Sequence, residues 1–169
     1  METSFRVRPA TVEDADDLTD IFMRSRAAAM PWLPPLHSAA EDRWFIEHVV
    51  IGEHTTWVAT DGTKALGFAA TKPGWLEHLY VAPEAQGRGA GRLLLTTVQE
   101  HSPDGLCLHV FQRNSAARRF YERAGFEHVA DHDGSSNEEQ EPDSTYRWSA
   151  APRRARVGQP APGAGLETP

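Results

Sequence analysis

The sequence predicts a mixed α/β fold in a single domain, and three observations support this prediction. The chain has 169 residues, the length of one ordinary domain. Hydrophobic residues make up 40% of it and charged residues 24%, which is the balance of a globular protein with a core. Short runs that alternate apolar and polar residues are interspersed with longer runs of helical period. The predicted element order is βααβββαβαββ, which is not a regular doubly wound repeat.

The first third of the chain contains one predicted strand and two predicted helices. Alternation around Phe5 and Val7 predicts a half-buried strand. Acidic residues then crowd the start of a helix that runs to about Ala29, where they suit the positive end of the helix dipole. Prolines exclude a helix from residues 30–37, because proline lacks the backbone donor.

The second helix is expected to begin at Ser38, since Glu41 stands three residues later and completes a capping box. We expect its buried face to carry Trp44, Phe45, His48 and Val49.

The remaining strands and helices alternate along the chain. The strands are expected at residues 55–60, 65–71, 75–81, 106–111, 126–130 and 145–148. The helices are expected at residues 89–101 and 115–124. Asp61-Gly62 predicts a hairpin turn, and Gly125 is the expected C-terminal cap of the last helix.

Composition excludes several classes of protein. The net charge is −7 and no basic stripe is present, which makes the chain a poor nucleic-acid binder. A single cysteine, Cys107, excludes a disulfide framework, and we expect it to be a buried structural thiol. No run approaches the roughly 20 apolar residues of a membrane span. The N-terminus lacks the apolar stretch of a signal peptide, so we expect a cytoplasmic protein.

Charge and composition change near the C-terminus. Residues 131–145 contain six acidic side chains and no lysine or arginine. This segment is interpreted as a solvated hairpin loop, with attraction of a cationic acceptor as the alternative. Residues 150–169 are dominated by proline, glycine and alanine, and they predict a disordered tail. We therefore expect one domain over residues 1–149 followed by that tail.

A glycine-rich turn joins the fourth predicted strand to the next helix. Its residues are Gln86, Gly87, Arg88, Gly89, Ala90 and Gly91. Glycines leave the backbone N–H groups unobstructed, and together with the helix dipole these groups form an anion site suited to a diphosphate. Arg88 and Arg92 could add charge-assisted contacts. The alternative is a plain strand-to-helix turn; the spacing fits neither a P-loop nor a dinucleotide fingerprint.

Two blocks of sequence resemble the GCN5-related N-acetyltransferases, the GNAT family. Leu79 through Gly91 resembles the acetyl-CoA motif of that family, written Q/R-x-x-G-x-G/A. Asn114 through Phe126 resembles a second block, in the same order and spacing. The resemblance extends over residues 5–148 and implies the GNAT-like acyl-CoA N-acyltransferase fold.

The resemblance implies transfer of an acetyl group from acetyl-CoA, as cosubstrate, to a primary amine through a ternary complex. The acceptor would be a small molecule or a peptide. The diphosphate would lie on the glycine-rich turn, and the pantetheine arm would pair with Leu79, Tyr80 and Val81. Asn114 would contact that arm, although capping of the following helix explains the same residue.

Three residues are the candidates for chemistry. The resemblance assigns Tyr121 to protonation of the departing thiolate, with a buried aromatic as the alternative. It also assigns the oxyanion donor to the backbone N–H of Val81, at a bulge in the fourth strand. Two-residue periodicity places Glu77 on the same face as Leu79 and Val81, where it could act as a base, hold an ammonium group, or be only paired or solvated. His78 then faces the other way and is interpreted as structural.

The acceptor pocket is expected where the family builds it, between the first two helices. Trp32, Leu36 and His37 would line it, with a rigid proline-rich cover as the alternative. A metal site is not expected, because His128 and His132 have ligand spacing but lie in a strand.

Two other functions fit parts of the sequence. One is a non-catalytic acyl-CoA-binding regulatory module, which Tyr121 and Glu77 argue against. The other is a phosphate-binding protein unrelated to coenzyme A, which leaves the second block unexplained. A homodimer is expected only from the resemblance to the family, and no feature of the sequence itself indicates one.

Overall fold

A computed structural model describes residues 4–151 and builds them around one seven-stranded sheet. The strands are β1 (Arg6–Pro9), β2 (Thr55–Thr60), β3 (Ala65–Lys72), β4 (Trp75–Val81), β5 (Leu106–Phe111), β6 (Glu127–His132) and β7 (Asp143–Trp148). Their order in space is β1-β2-β3-β4-β5-β7-β6. The helices are α1 (Ala15–Ala29), α2 (Ala39–Phe45), α3 (Ala90–Glu100) and α4 (Ser115–Arg123).

The predicted element order is confirmed. The predicted tail lies, from residue 152 onward, outside the described residues. Within residues 4–151, no helix has both the length and the apolar character needed to cross a bilayer.

Helices cover the two faces of the sheet, and each face has its own apolar cluster. On one face, Leu18 and Ile21 of α1 pack with Phe68 of β3. On the other face, Leu94 of α3 packs with Leu108 of β5 and with residues of β7 and α4. The mixed α/β fold class is therefore confirmed, with one sheet between two helical layers.

The predicted face of the second helix is right for Phe45, which packs against Phe22 and its cluster, and wrong for Trp44 and His48, which are exposed. Ser38 does cap α2, since its hydroxyl accepts from the N–H of Glu41 at 3.2 Å. Beyond Phe45, however, the helix continues as a π-helical segment, Ile46–Ile51. The wider π turn rotates the chain, so that Ile46 and Val50 become the buried residues. The predicted Trp44 is instead 58% exposed.

β4 separates from its neighbour β5 after a single pairing. β3 and β4 pair along their length, from Lys72↔Trp75 to Gly67↔Val81. β5 is the one parallel neighbour of β4, and it pairs only at Trp75↔Cys107. The two strands therefore diverge toward the C-terminal end of β4, and a gap opens inside the sheet.

A β-bulge lies in β4 at Glu77. The register shifts from Ala70↔His78 to Thr71↔Leu76, which leaves Glu77 without a partner in β3. The bulge interrupts the alternation along the strand, so Leu76 packs on the same apolar cluster as Leu79 and Val81. The predicted common face of Glu77, Leu79 and Val81 is therefore wrong, because the extra residue at the bulge interrupts the alternation of side chains between the two faces of the strand.

Candidate active site

The gap between β4 and β5 forms a cavity of about 280 Å³. Residues of β4, β5, α4 and the β6–β7 loop line it, among them Glu77, Leu79, Tyr80, Leu108, Asn114 and Tyr121. The cavity exists because no β5 backbone pairs with β4 beyond Trp75. Three of the residues predicted for the site on β4, together with Asn114 and Tyr121 of the second block, thus meet at one opening in the sheet.

The ladder between β3 and β4 determines where the backbone of β4 points. The N–H of Ala82 donates to the carbonyl of Leu66 at 2.8 Å, next to the pair Gly67↔Val81. That pair is therefore a non-hydrogen-bonded pair of the antiparallel ladder. The two kinds of pair alternate, so Leu79, two residues earlier on β4, is also in a non-hydrogen-bonded position. The N–H and C=O groups of Leu79 and Val81 consequently point away from β3, into the gap.

The carbonyl of Val81 is held from two sides. Ser25 of α1 donates its hydroxyl to this carbonyl at 2.8 Å, and the side-chain amide of Gln86 donates to it at 3.1 Å. Gln86 is thus engaged with the end of β4 in this structure. Its side chain positions the backbone at the mouth of the gap.

The glycine-rich turn has the conformation that glycine permits. Gly87 and Gly89 have φ values of +70° and +95°, which L side chains rarely adopt. A Cβ atom at either position would meet nothing within 4 Å, so the space before the turn is open. Gly89 is the N-cap of α3, and the first N–H groups of this helix have no acceptor within it.

The remaining residues of the turn support this anion site. Gly91 is closely packed, because a Cβ there would lie 3.3 Å from Cγ2 of Val81. The guanidinium of Arg88 lies 5.5 Å from the centre of the Phe5 ring, beside the turn, and Arg92 is exposed. The turn therefore offers unobstructed amides, a helix N-terminus and two nearby cations.

Tyr121 is buried at the floor of the cavity. Its ring packs against Phe120 and Phe126 with centroid distances of 5.3 and 5.6 Å. Burial, with a smaller contribution from Tyr80, raises the pKa of Tyr121 above that of an ordinary phenol. The alternative of a buried aromatic is confirmed, and proton donation by Tyr121 stays a prediction.

Asn114 has the structure expected of a helix cap. Its side-chain oxygen accepts from the N–H of Ala117 at 3.2 Å and so caps α4. It also lines the cavity. Capping is confirmed, and contact with a cosubstrate stays a prediction.

Glu77 lies in the wall of the cavity with an exposed side chain. Within residues 4–151 its carboxylate makes no ion pair or hydrogen bond. The bulge that removes its partner in β3 also turns it into the opening. Its carboxylate is thus available to a ligand.

A second cavity, of about 810 Å³, lies where the acceptor pocket was predicted. Leu36 and His37 line it, as predicted, together with residues of α1 and α2. Trp32 does not line it: its ring instead lies under the guanidinium of Arg113, 4.7 Å from the ring centre. The proline-rich segment turns the indole toward α4, so the prediction for Trp32 is wrong.

The two cavities share three lining residues, Met30, His78 and Glu139. The two cavities therefore adjoin each other. Sequence reasoning placed Met30 and Glu139 only within larger segments, at the acceptor pocket and in the acidic loop, without naming either as a site residue, and it interpreted His78 as structural. These residues come from three distant parts of the chain, so no local motif marks them.

Ion pairs hold the acidic β6–β7 loop against the second cavity. The loop comprises residues 133–142, because β6 and β7 extend further than predicted. Glu139 pairs with Arg26 at 3.0 Å, and Glu138 pairs with His37 at 3.0 Å. The interpretation as a solvated loop is wrong for Glu139, whose side chain is 17% exposed beside Arg26 of α1, and holds for Glu138, whose side chain is 66% exposed beside His37.

The comparisons with known proteins agree with this geometry. The model of the acetyltransferase (GNAT) domain matches residues 52–128. The chain is 32% identical over 145 residues to phosphinothricin N-acetyltransferase of Streptomyces coelicolor, covering 73% of this chain and 82% of that protein.

The chain belongs to the GCN5-related N-acetyltransferase family. Membership places this GNAT protein among the acyltransferases. A second relative, peptidyl-lysine N-acetyltransferase YiaC of Escherichia coli, is 41% identical over 76 residues. That match spans 44% of this chain and only 51% of the relative, about half of each.

A solved GNAT structure shows the same fold. YncA of Salmonella typhimurium, titled as a structure with its cofactor acetyl-CoA, aligns with a TM-score of 0.66 at 17% identity. The alignment covers 90% of this chain and 99% of that one. At this identity the likeness shows the fold alone, and the predicted GNAT-like architecture is confirmed.

The setting of His78 generates a prediction about protonation. The rings of Phe22, Phe45 and Tyr80 surround it, and burial lowers the pKa of His78 to about 3. We expect its NMR resonances to stay unchanged from about pH 8 to about pH 5, with assignment by His78→Gln.

His37 is the internal comparison, because Glu138 raises the pKa of His37 above its usual range. Its signals should shift across that interval. Titration of His78 near pH 6 would contradict the buried, neutral state.

Proposed function

We propose that this GNAT protein transfers an acetyl group from acetyl-CoA to a primary amine by direct attack within a ternary complex. The gap between β4 and β5 carries the proposal. It exposes the inward-facing backbone of β4 and Tyr121 at one opening, and the glycine-rich turn follows directly after the end of β4. Acetyl-CoA, when bound, supplies an activated thioester and a thiolate leaving group.

The described residues fit this cosubstrate. The amides of the glycine-rich turn and the first turn of α3 would bind the diphosphate, with Arg88 and Arg92 adding charge. The backbone groups of Leu79 and the N–H of Val81 face away from β3 and would pair with the amides of an extended arm, as the next strand would, while the carbonyl of Val81 is held by Ser25 and Gln86. Asn114 stands across the same cavity.

Replacing Gly89 by alanine tests the diphosphate site. The space is open, so the substitution acts by forcing φ away from +95° and reorienting the amides. We expect acetyl-CoA affinity, measured by calorimetry, to fall about tenfold or more, roughly the loss of one charge-assisted hydrogen bond.

Gly62→Ala is the matched control, since Gly62 has a φ of +93° and nothing within 4 Å, but lies in the β2–β3 hairpin. It should carry the same strain without loss of affinity. Equal affinities of the two variants would contradict the assignment of the turn.

Glu77 would either remove the proton of the acceptor amine or hold the protonated amine in place. A lysine-like amine has a pKa of about 10.4, so at neutral pH it arrives mostly as an ammonium ion that cannot attack. The carboxylate of Glu77 lines the cavity without a partner in residues 4–151. It would accept the amine proton, directly or through water, or hold the ammonium in place.

Glu77→Gln separates these two roles. If Glu77 is the base, the turnover number should fall by about 10² or more and the acidic limb of the pH–rate profile should change. If it is an anchor, KM for the amine should rise while that limb stays.

Glu100→Gln, an exposed position at the end of α3, is the matched control. It should leave both quantities unchanged. A wild-type profile and KM in Glu77→Gln would remove Glu77 from the mechanism.

Two further groups would act on the transferring acetyl group. The N–H of Val81 points into the gap and would donate to the developing oxyanion, a contact typically worth on the order of 10²–10³ in rate. The neutral phenol of Tyr121 would donate its proton to the departing thiolate. Burial keeps that phenol protonated, because it raises the pKa of Tyr121.

Tyr121→Phe tests the proton donor. We expect the turnover number to fall by about 10² while the dissociation constant of acetyl-CoA changes less than about twofold, since the ring is kept.

Tyr146→Phe is the control for loss of a buried phenol. Its hydroxyl bonds Glu122 and Arg118, and Tyr146 is not among the residues that line either cavity. Unchanged turnover in Tyr121→Phe would exclude the role.

The second cavity supports an enzyme over a module that only binds acyl-CoA. It meets the gap at Met30, His78 and Glu139, an arrangement that binding alone does not require. A screen of amine acceptors with acetyl-CoA, measuring thiol release, tests the proposal. Binding of acetyl-CoA without acceptor-dependent thiol release would contradict it.

The screen should include a peptidyl lysine, phosphinothricin and a polyamine. The proposal assigns no step of the transfer to a metal ion. A cytoplasmic location and a homodimer both stay predictions.

A further inference from the structure

Two histidines and an aspartate meet on one face of the sheet, at the edge of the gap between β4 and β5, whose cavity His109 and Asp143 also line. His109 lies on β5, His132 on β6 and Asp143 on β7. One ligand atom from each lies within 4.8 Å of the other two. We propose that these three residues bind a divalent transition-metal ion of the Zn²⁺ type.

The strand register explains why the three side chains meet. His132 is directly opposite Asp143, and His109 is directly opposite Thr145. Asp143 and Thr145 are two residues apart on β7, so their side chains share a face. The three donors therefore come from adjacent strands of a hydrogen-bonded sheet, whose backbone holds their spacing.

The two imidazoles are aimed at one point. A ring nitrogen of His132 lies 2.9 Å from the Thr145 hydroxyl, and a ring nitrogen of His109 lies 3.1 Å from the same oxygen. The hydroxyl can donate its hydrogen to one ring and accept an N–H from the other. Thr145 therefore holds the two imidazoles close together on the same face of the sheet, within reach of one shared ion.

Neighbouring residues orient the donors. The Trp75 ring stacks on His109 with a centroid distance of 4.8 Å. The side-chain amide of Asn137 donates to the Asp143 carboxylate at 3.3 Å. Such outer contacts fix ring and carboxylate orientation in protein metal sites.

The donor set determines the class of ion. Two imidazoles with one carboxylate suit Zn²⁺ and similar transition metals, whereas Mg²⁺ and Ca²⁺ prefer oxygen ligands alone. Zn–N and Zn–O distances are about 2.0–2.2 Å, so the donors must approach each other from their present spacing. His109 and His132 are exposed, and rotation of their side chains supplies this movement.

The proposed ligands are not the groups assigned to the transfer, although they adjoin them. Tyr121, Glu77 and the glycine-rich turn contribute no donor to the cluster, while His109 and Asp143 share a cavity wall with Tyr121 and Glu77. Sequence spacing could not reveal it, since the two histidines are 23 positions apart in the chain and Asp143 is a further 11. Only the β5-β7-β6 order brings them together.

Calorimetric titration of the tag-free protein with Zn²⁺ tests the proposal. We expect one Zn²⁺ per chain, with affinity at least about tenfold lower in each of His109→Gln, His132→Gln and Asp143→Asn. All three variants should retain the wild-type circular dichroism spectrum, and the thermal unfolding midpoint provides a second check of folding, because coenzyme A binding could itself be affected at His109 and Asp143.

His128→Gln is the matched control: His128 is also an exposed histidine of β6, but it pairs with Asp131. Wild-type affinity in this variant supports the proposal. Three results would overturn it: no Zn²⁺ binding up to about 1 mM, a value near the weak limit of specific affinities; unchanged binding in all three ligand variants; or an equal loss in His128→Gln.

Discussion

The separation of β4 from β5 is the constraint on which the candidate active site depends. In a continuous parallel pair, the backbone groups of Leu79 and Val81 would be used by β5. Here the pairing ends at Trp75↔Cys107, and the same groups face an open cavity. Backbone N–H and C=O groups without a strand partner need another hydrogen-bond partner, and the amides of a bound ligand can supply it. Tyr121, beneath the opening, is reachable for the same reason.

The contacts around the gap keep it in this form. Ser25 and Gln86 hold the carbonyl of Val81 from α1 and from the start of the glycine-rich turn. The bulge at Glu77 adds a residue to β4, increases the local twist and carries a carboxylate into the opening. The strand end, the turn and α1 are thus tied together, so the glycine-rich turn and the end of β4 are fixed relative to each other.

Local signals explain how much of this fold the sequence could predict. Strands β2, β4 and β5 begin and end where alternation and turn residues placed them, and Ser38 caps α2 as its spacing with Glu41 indicated. The failures involve long-range geometry. The π-helical segment changed the buried face of α2, and the bulge at Glu77 changed the face of β4. Neither has a signature in a few consecutive residues.

The candidate site divides in the same way. Its cosubstrate half lies in two continuous blocks, and a motif could identify it. Its acceptor half is assembled from α1, the proline-rich segment, α2 and the β6–β7 loop. There Arg26 pairs with Glu139, which is 113 positions away in the sequence. A local sequence pattern cannot reveal such a pair. For Trp32, the absence of a helix in its segment was predicted correctly, but the direction of its side chain was not, since the ring lies against Arg113.

Amide NMR during titration with acetyl-CoA examines the gap most directly. If the cosubstrate pairs with β4 and lies on the glycine-rich turn, the largest shifts will be at the amides of residues 79, 81 and 87–92. Amides on β6, remote from the gap, will change little. Saturating acetyl-CoA that leaves the amides of Leu79, Val81 and Gly89 unmoved would contradict the account.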